Sequence, residues 1–165
     1  MGTISLRMPN NDDLNVLSMW ENDISNSEYT DFPSFYTREQ LVQFLDSKQD
    51  ILMNNQIRYM ICVDNNPIGC IDLFDYDLVN SRAGVGIFID PELQSKGWGF
   101  LALQELKELS LKNHLLNQLY ATVYSSNEKS LKLFIKAGFV QTGTRKKWVR
   151  KEDGYEDVHF FQCFL

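Results

Sequence analysis

The sequence predicts a single α/β domain on a mixed central sheet, in the order βααβββαβαββ. Three observations carry that expectation. The first half sets short apolar strands against tight turns, as antiparallel hairpins do, and the second half alternates strand and helix, as a βαβ unit does. No repeat, low-complexity tract or linker divides the 165 residues. A chain of that length buries roughly two-thirds of its extended surface, enough for one core.

Thr3–Arg7 opens the chain as a strand. Asn10 or Asn11 caps a helix over about Asp12 to Glu21, with Leu14, Leu17 and Met19/Trp20 on its buried side. Asn22–Tyr36 is polar and aromatic without a period, and a loop of that length in a compact domain is often functional. Thr37-Arg-Glu-Gln40 spells a capping box, followed by Leu41, Phe44 and Leu45 at helical spacing. Ile57–Val63 and Ile68–Phe74 form a hairpin around Asp64–Pro67, and a turn near Asp77–Ser81 leads to the strand Ala83–Ile89. A leucine-rich helix of about sixteen residues follows Asp90–Lys96, then the strand Leu119–Tyr124. Ser126 or Asn127 caps the last helix, which stops at Gly138, and Phe139–Val149 with Tyr155–Phe164 closes the fold as a hairpin.

Apolar residues make up 44% of the chain and aromatic residues 13%, the profile of a packed globule. No apolar run approaches the ~20 residues that span a bilayer. The polar run Asn10–Asp13 stands where a secretory signal would be apolar, and Leu6 breaks the myristoylation pattern begun by Gly2. A cytoplasmic protein without a membrane partner is expected. The net charge of −6 argues against nucleic acid and mildly favours cationic ligands such as amines. Cys62, Cys70 and Cys163 are scattered in apolar sequence and read as reduced core residues; with two histidines in no metal-binding spacing, no metal is expected.

The stretch Val85-Gly-Ile-Phe-Ile-Asp-Pro-Glu-Leu-Gln94-Ser-Lys-Gly97-Trp-Gly99-Phe100 carries the chemistry. A strand enters a turn rich in main-chain donors and a helix starts at once. The first amides of a helix lack internal partners and carry partial positive charge, so such a start accepts a pyrophosphate. Glycine at 97 and 99 keeps Cβ atoms away from the phosphate oxygens. Gly97-Trp-Gly99-Phe-Leu-Ala102 also fits a dinucleotide fingerprint, but the next strand ends Thr122-Val-Tyr-Ser-Ser126 without the carboxylate that a ribose needs, and the hairpins of the first half spoil a doubly wound sheet.

Gln94-Ser-Lys-Gly97-Trp-Gly99, placed between the fourth strand and the long helix, resembles the Gln/Arg-x-x-Gly-x-Gly/Ala signature of the GNAT superfamily of N-acetyltransferases. The resemblance runs over essentially the whole chain. It implies acetyl-CoA as co-substrate, its pyrophosphate held by Gln94, Ser95, Lys96, Gly97, Trp98, Gly99 and Phe100, and its pantetheine arm paired with Ile87, Phe88 and Ile89. It implies that the fifth strand splays from the fourth, opening a slot where acyl group and amine meet. Asn127 would contact the arm, or serve as a plain helix cap, or do both; Ser130 and Phe134 belong to the same stretch.

Transfer to an amine needs a neutral nitrogen, a stabilised oxyanion and a protonated thiol. A lysine-like amine resists deprotonation at pH 7 by about 4.6 kcal/mol, which nearby carboxylates acting through water can offset. A main-chain amide near Phe88–Ile89 is a candidate oxyanion donor. Many relatives carry a tyrosine that protonates the thiolate where this chain has Phe134; Tyr124 or water is then the candidate donor, with packing as the alternative role of Tyr124. Asp72 is the preferred base, since Gly69-Cys-Ile-Asp72-Leu matches a Gly-x-x-Glu-Leu segment of polyamine-acetylating relatives. Asp75, three residues on, faces the other side of a regular strand unless a bulge intervenes.

Within the superfamily the likeness is greatest to the branch of spermidine/spermine and ribosomal-protein N-terminal acetyltransferases. That branch implies an amine acceptor, polyamine or peptide, and a homodimer or larger homo-oligomer. Glu28, Asp31, Asp72 and Asp75 are the candidate acceptor-binding residues; Glu21, Asp23 and Glu39 would add to an acidic pocket, or else are solvated charges. A non-catalytic acyl-CoA sensor is the reading of a different class.

Overall fold

Alternating apolar residues and the turn at Asp64 and Asn65, both at positive φ, build the first hairpin of the computed structural model, which describes residues 2–29 and 35–165. β1 (Ile4–Arg7), β2 (Ile57–Val63), β3 (Asn66–Asp77) and β4 (Arg82–Ile89) pair antiparallel in chain order. β5 (Gln118–Tyr124) lies parallel to β4, and β6 (Val140–Lys151) and β7 (Gly154–Phe164) complete a seven-stranded sheet in the order β1-β2-β3-β4-β5-β7-β6. The α/β class and the mixed sheet expected from the sequence are the observed ones.

Five helices flank the sheet: α1 (Leu14–Asn22), α2 (Arg38–Asp46), α3 (Ile51–Asn54), α4 (Trp98–Asn113) and α5 (Glu128–Lys136). The Thr37 hydroxyl accepts from Gln40 N while the Gln40 side chain receives Thr37 N, so the capping box forms. The first helix begins later than the sequence suggests because Asn10–Asp13 closes its own capping box around a 3-10 turn. Asp13 is buried and held by both Arg7 nitrogens at 2.7 Å. Burial would raise its carboxyl, yet the Arg7 bonds and the Asn10 amide bring it below the ordinary range. α3 has no counterpart in the sequence reading; at four residues it is too short to show a helical period.

Alternation along the strands separates two faces. Ile71 and Leu73, Ala83, Val85 and Ile89, and Leu119, Ala121 and Val123 pack with Ala102, Leu103 and Leu106 of α4 and Phe134 of α5. On the opposite face Met60, Cys62 and Cys70 pack with Leu17 and Trp20 of α1. All three cysteines are free and buried, and burial pushes the Cys70 thiol up to about 12. Among the described residues no helix is long and apolar enough to cross a membrane.

At the end of α4, His114 Nε2 lies 2.7 Å from the Tyr59 hydroxyl, and the His114 carbonyl accepts from Tyr76 at 2.9 Å. Burial lowers the His114 pKa below its ordinary value. A ring kept neutral by the fold contributes stability that is complete above the unfolded value of about 6.5 and is lost as pH falls through the lower folded value. Chemical denaturation of His114→Asn as a function of pH is expected to show a shallower loss just below about pH 6.5 than the parent protein. Identical slopes would remove His114 from the acid response.

Candidate active site

The β4–β5 ladder is short. Arg82, Ala83 and Gly84 pair with Gln118, Leu119 and Tyr120, and there the pairing ends, although β4 runs on to Ile89 and β5 to Tyr124. Val85–Ile89 keeps β3 on one side through the pairs Leu73↔Val85 to Gly69↔Ile89 and, among the described residues, has no strand on the other. The end of β4 over Ile87, Phe88 and Ile89 therefore presents a main-chain edge without a partner strand to the opening, the Ile89 carbonyl accepting from Gln94 Nε2.

The exit of β4 is tightly fixed. Asp90 Oδ2 accepts from Trp20 Nε1 of α1 at 2.9 Å, Asp90 Oδ1 caps Glu92 N at 3.0 Å, and Asp90 N donates to Ile68 O at 2.9 Å. Gln94 then braces the loop, its Nε2 donating to Ile89 O and its Oε1 accepting from Lys129 of α5, both at 3.0 Å. Ser95 and Gly97 take positive φ, 61° and 89°, which turns the chain sharply into α4. Lys96 folds back to Glu92 O at 3.2 Å.

Gly97 is the N-cap of α4, and no side chain caps the helix. The first bond is Leu101 N to Gly97 O at 3.2 Å, leaving the amides of Trp98, Gly99 and Phe100 without a partner inside the helix. This end meets the open edge of β4, so the donors and the slot adjoin, and the residues suit a pyrophosphate with its attached arm. Gly97, at φ 89°, holds a left-handed conformation that glycine enters at least cost. Gly99 has another reason: a Cβ there would lie 3.2 Å from Leu133 Cδ2 of α5. It lets two helices approach, where the sequence suggested room for phosphate.

Across the slot, Asn127 Oδ1 accepts from Ser130 N at 3.1 Å, so Asn127 caps α5. Glu156 of β7 holds the preceding turn through Ser126 N at 2.7 Å and Ser125 Oγ at 3.2 Å. Burial would raise the Glu156 carboxyl, but the bonds from Ser126 and the Lys151 charge bring it down. Phe134 is 4% exposed and meets Phe139 edge-on at 5.0 Å, inside the α4–α5 core. Tyr124, at the tip of β5, is also buried; Tyr29 meets it edge-on at 6.0 Å and the Lys151 ammonium lies 5.0 Å from its ring.

With α4 behind the slot, the opposite face is left to an acceptor. Period two places Gly84, Gly86 and Phe88 of β4, Asp72 and Phe74 of β3, and Tyr120, Thr122 and Tyr124 of β5 on that face. The contacts of Phe88 with Trp20 and of Tyr120 with Phe74 agree.

Asp72 is not poised as a free base. Both its oxygens accept from Arg58, from Nε and from an Nη at 2.8 Å, and Arg58 also binds Glu21 at the end of α1. Burial works against the Arg58 charge, but Asp72 and Glu21 hold it well above the ordinary arginine value. A proton donor would have to displace one of these charge-assisted bonds to reach an Asp72 oxygen. Of the residues expected to add to an acidic pocket, Glu21 is paired with Arg58, Asp23 caps Ser25 N, and Glu39 lies exposed in the first turn of α2. Glu28 is exposed, its carbonyl 3.4 Å from Lys151 Nζ; Asp31 lies outside the described residues.

Asp75 does not face away from Asp72. The β3–β4 register shifts between Phe74 and Asp77, and Asp75 takes φ 49° in that bulge. The bulge turns it toward the acceptor face, where Asp75 Oδ2 accepts from the Tyr120 hydroxyl at 3.1 Å. Sequence reasoning missed Arg58, although one arginine in the otherwise apolar strand Ile57–Val63 signals a partner from another element. It also missed Tyr120 and Phe74, which lacked any motif.

A sheet parted over an uncapped helix start, with an open face opposite, fits the acyl-coenzyme A site that the resemblance of the loop implies. The family model described as Acetyltransferase (GNAT) domain matches residues 3–140, and the chain belongs to that family. It is thereby an acetyl-CoA-dependent acyltransferase. Spermidine N(1)-acetyltransferase of Escherichia coli K12 is 26% identical over 141 residues, covering 86% of this chain and 75% of the relative. L-amino acid N-acetyltransferase AaaT of the same organism is 25% identical over 101 residues, covering 60% and 62%. Among solved structures, spermidine N-acetyltransferase from Vibrio cholerae, in complex with CoA and spermine, superposes with TM-score 0.86 at 22% identity over 98% of this chain and 95% of that one. RimL, the ribosomal L7/L12 alpha-N-protein acetyltransferase, in complex with CoA, gives 0.85 at 18% identity over 99% and 94%.

Proposed function

We propose that the chain moves the acetyl group of acetyl-CoA directly to a primary amine within a ternary complex, in the cytoplasm. The observation that carries this reading is the early end of the β4–β5 ladder at Gly84/Tyr120, beside the uncapped amides of Trp98, Gly99 and Phe100. When bound, acetyl-CoA supplies an activated acetyl thioester. Gln94, Ser95, Lys96, Gly97, Trp98, Gly99 and Phe100 would hold its pyrophosphate, and the open edge of Ile87, Phe88 and Ile89 its arm, with Asn127, Ser130 and Phe134 bounding the far side.

The chain's own part is placement and proton handling. A main-chain N–H near Phe88–Ile89 steadies the oxyanion. The amine enters from the face of Gly84 and Gly86, forms the new C–N bond as the C–S bond breaks, and gives its proton to water, since Asp72 is held by Arg58. The thiolate takes a proton from the Tyr124 hydroxyl at the tip of β5. A small amine of polyamine type is the acceptor of choice, supported by the names of the spermidine-acetylating relatives. A protein N-terminus is the acceptor named for RimL and comes second. A dodecameric neighbour supports a homo-oligomer; neither nucleic acid nor membrane enters the reading.

Phenylalanine at 134 favours one rival, a sensor that binds acyl-CoA without turnover. Free-thiol release from acetyl-CoA over a panel of monoamines, polyamines and N-terminal peptides separates the two. Amine-dependent release is expected. Tight CoA binding with no release from any amine would instead establish the sensor.

A further inference from the structure

Arg58 occupies Asp72 and Glu21, and Arg82 binds Asp77, so among the described residues Asp75 alone of the β3 carboxylates has no ion-pair partner within 4 Å, although the charges of Arg82 and Arg145 reach the Tyr120 hydroxyl beside it. It does not stand in isolation. The Tyr120 hydroxyl donates to it at 3.1 Å, the Tyr120 ring stacks on Phe160 at 5.4 Å, and Phe74 meets Tyr120 edge-on at 6.0 Å. Phe74 can lie there because Gly84 beneath it has no Cβ; one would come within 2.4 Å of the ring. All three rings are half-buried, and Asp75 is exposed.

Resting on the amine-acceptor reading above, we propose that Asp75 with Phe74, Tyr120 and Phe160 forms a subsite for a second cationic group, ammonium or guanidinium, carried by the acceptor away from its reacting nitrogen. Three features of the geometry converge on a cation. A carboxylate beside half-exposed ring faces is the chemistry that binds organic cations, through charge and through the ring quadrupole together. The bulge holds a non-glycine residue at φ 49°, and only that conformation turns Asp75 onto the acceptor face. The position also suits the slot. Asp72 lies across from Gly86, where the ladder has just opened, and Asp75 stands three residues further along β3. Phe88, by the candidate oxyanion donor, lies opposite Cys70, five residues from Asp75, so at about 3.4 Å per residue the subsite lies up to roughly 17 Å from the reacting centre. Arg58 occupies both oxygens of Asp72 and pairs with Glu21, which leaves Asp75 as the β3 carboxylate open to a remote charge.

The test compares an α,ω-diaminoalkane of about that span with the monoamine of equal chain length, in the parent protein and in Asp75→Asn. Asparagine tolerates positive φ and can still accept from Tyr120, so the variant keeps the fold while losing the charge. In the parent, kcat/KM for the diamine is expected to exceed that for the monoamine by about tenfold, and in Asp75→Asn that ratio falls to about two. Calorimetric binding of the same diamine to the CoA-loaded protein is expected to weaken in parallel. Acetylation of both amines with a ratio unchanged by Asp75→Asn overturns the subsite and leaves the transferase reading standing. Absent acetylation with Asp75-dependent diamine binding overturns the transferase reading and keeps the subsite. If neither acetylation nor diamine binding is measurable, both fall.

Discussion

Replacing Arg58 by methionine is expected to lower the unfolding free energy by about 3 kcal/mol, the loss typical when one partner of a largely buried ion pair is removed. The arginine joins three elements: β2, on which it sits, Asp72 of β3, and Glu21 at the end of α1. Its ring partner is Phe44 of α2, 5.8 Å from the guanidinium carbon. Without it Asp72 and Glu21 are two like charges with no compensation in a partly desolvated space. Their side chains remain 29% and 23% exposed, so water recovers part of the loss and the figure stays below the full cost of a sealed site. Urea unfolding checks it. Adding Glu21→Gln and Asp72→Asn should restore most of the stability, because the neutral amides no longer require a cation. A loss under about 1 kcal/mol in the single variant would place Arg58 with ordinary surface pairs.

Gly99→Val is expected to weaken CoA binding by about thirtyfold or more, through α5 rather than through contact with phosphate. The added Cβ would lie 3.2 Å from Leu133 Cδ2 and 3.8 Å from Ile87 Cδ1, and the valine methyls reach further. The cheapest relief moves the first turn of α4 away from α5, and the amides of Trp98, Gly99 and Phe100 move with it. Leu133→Ala removes the obstructing branch, so the double variant should regain much of the affinity. Calorimetry on the four proteins reads the coupling. If Leu133→Ala does not help, the glycine acts by admitting the ligand, as the sequence first suggested.

Periodic, local features were legible in the sequence because their causes lie within a few residues. The capping box at Thr37–Gln40, the turn at Asp64 and the stop at Gly138 each follow from adjacent chemistry. The loop at Gln94–Phe100 was legible for the same reason, since its donors are main-chain groups placed by one strand end and one helix start. What stayed hidden depends on residues far apart in the chain. Asp72 looks like an available base until folding brings Arg58 against it, and Gly99 looks like phosphate chemistry until Leu133 arrives from α5. Asp75 appeared to face away from Asp72 because a bulge follows from pairing with β4, not from the strand's own residues. Phe134, read as a lost acid, is seated among Phe139 and Phe161 by tertiary packing.

The central claim is that exposed amides at the start of α4 grip the diphosphate of the cofactor. Titrating the protein calorimetrically with CoA and, separately, with pantetheine, which has the arm without the diphosphate and the nucleotide, measures that grip together with any nucleotide contact, and competition of inorganic pyrophosphate against CoA isolates the diphosphate share. Binding of CoA at least about a hundredfold tighter than pantetheine, some 2.7 kcal/mol, is the expected result. Equal affinity for the two, or no heat with CoA at millimolar concentration, would contradict it.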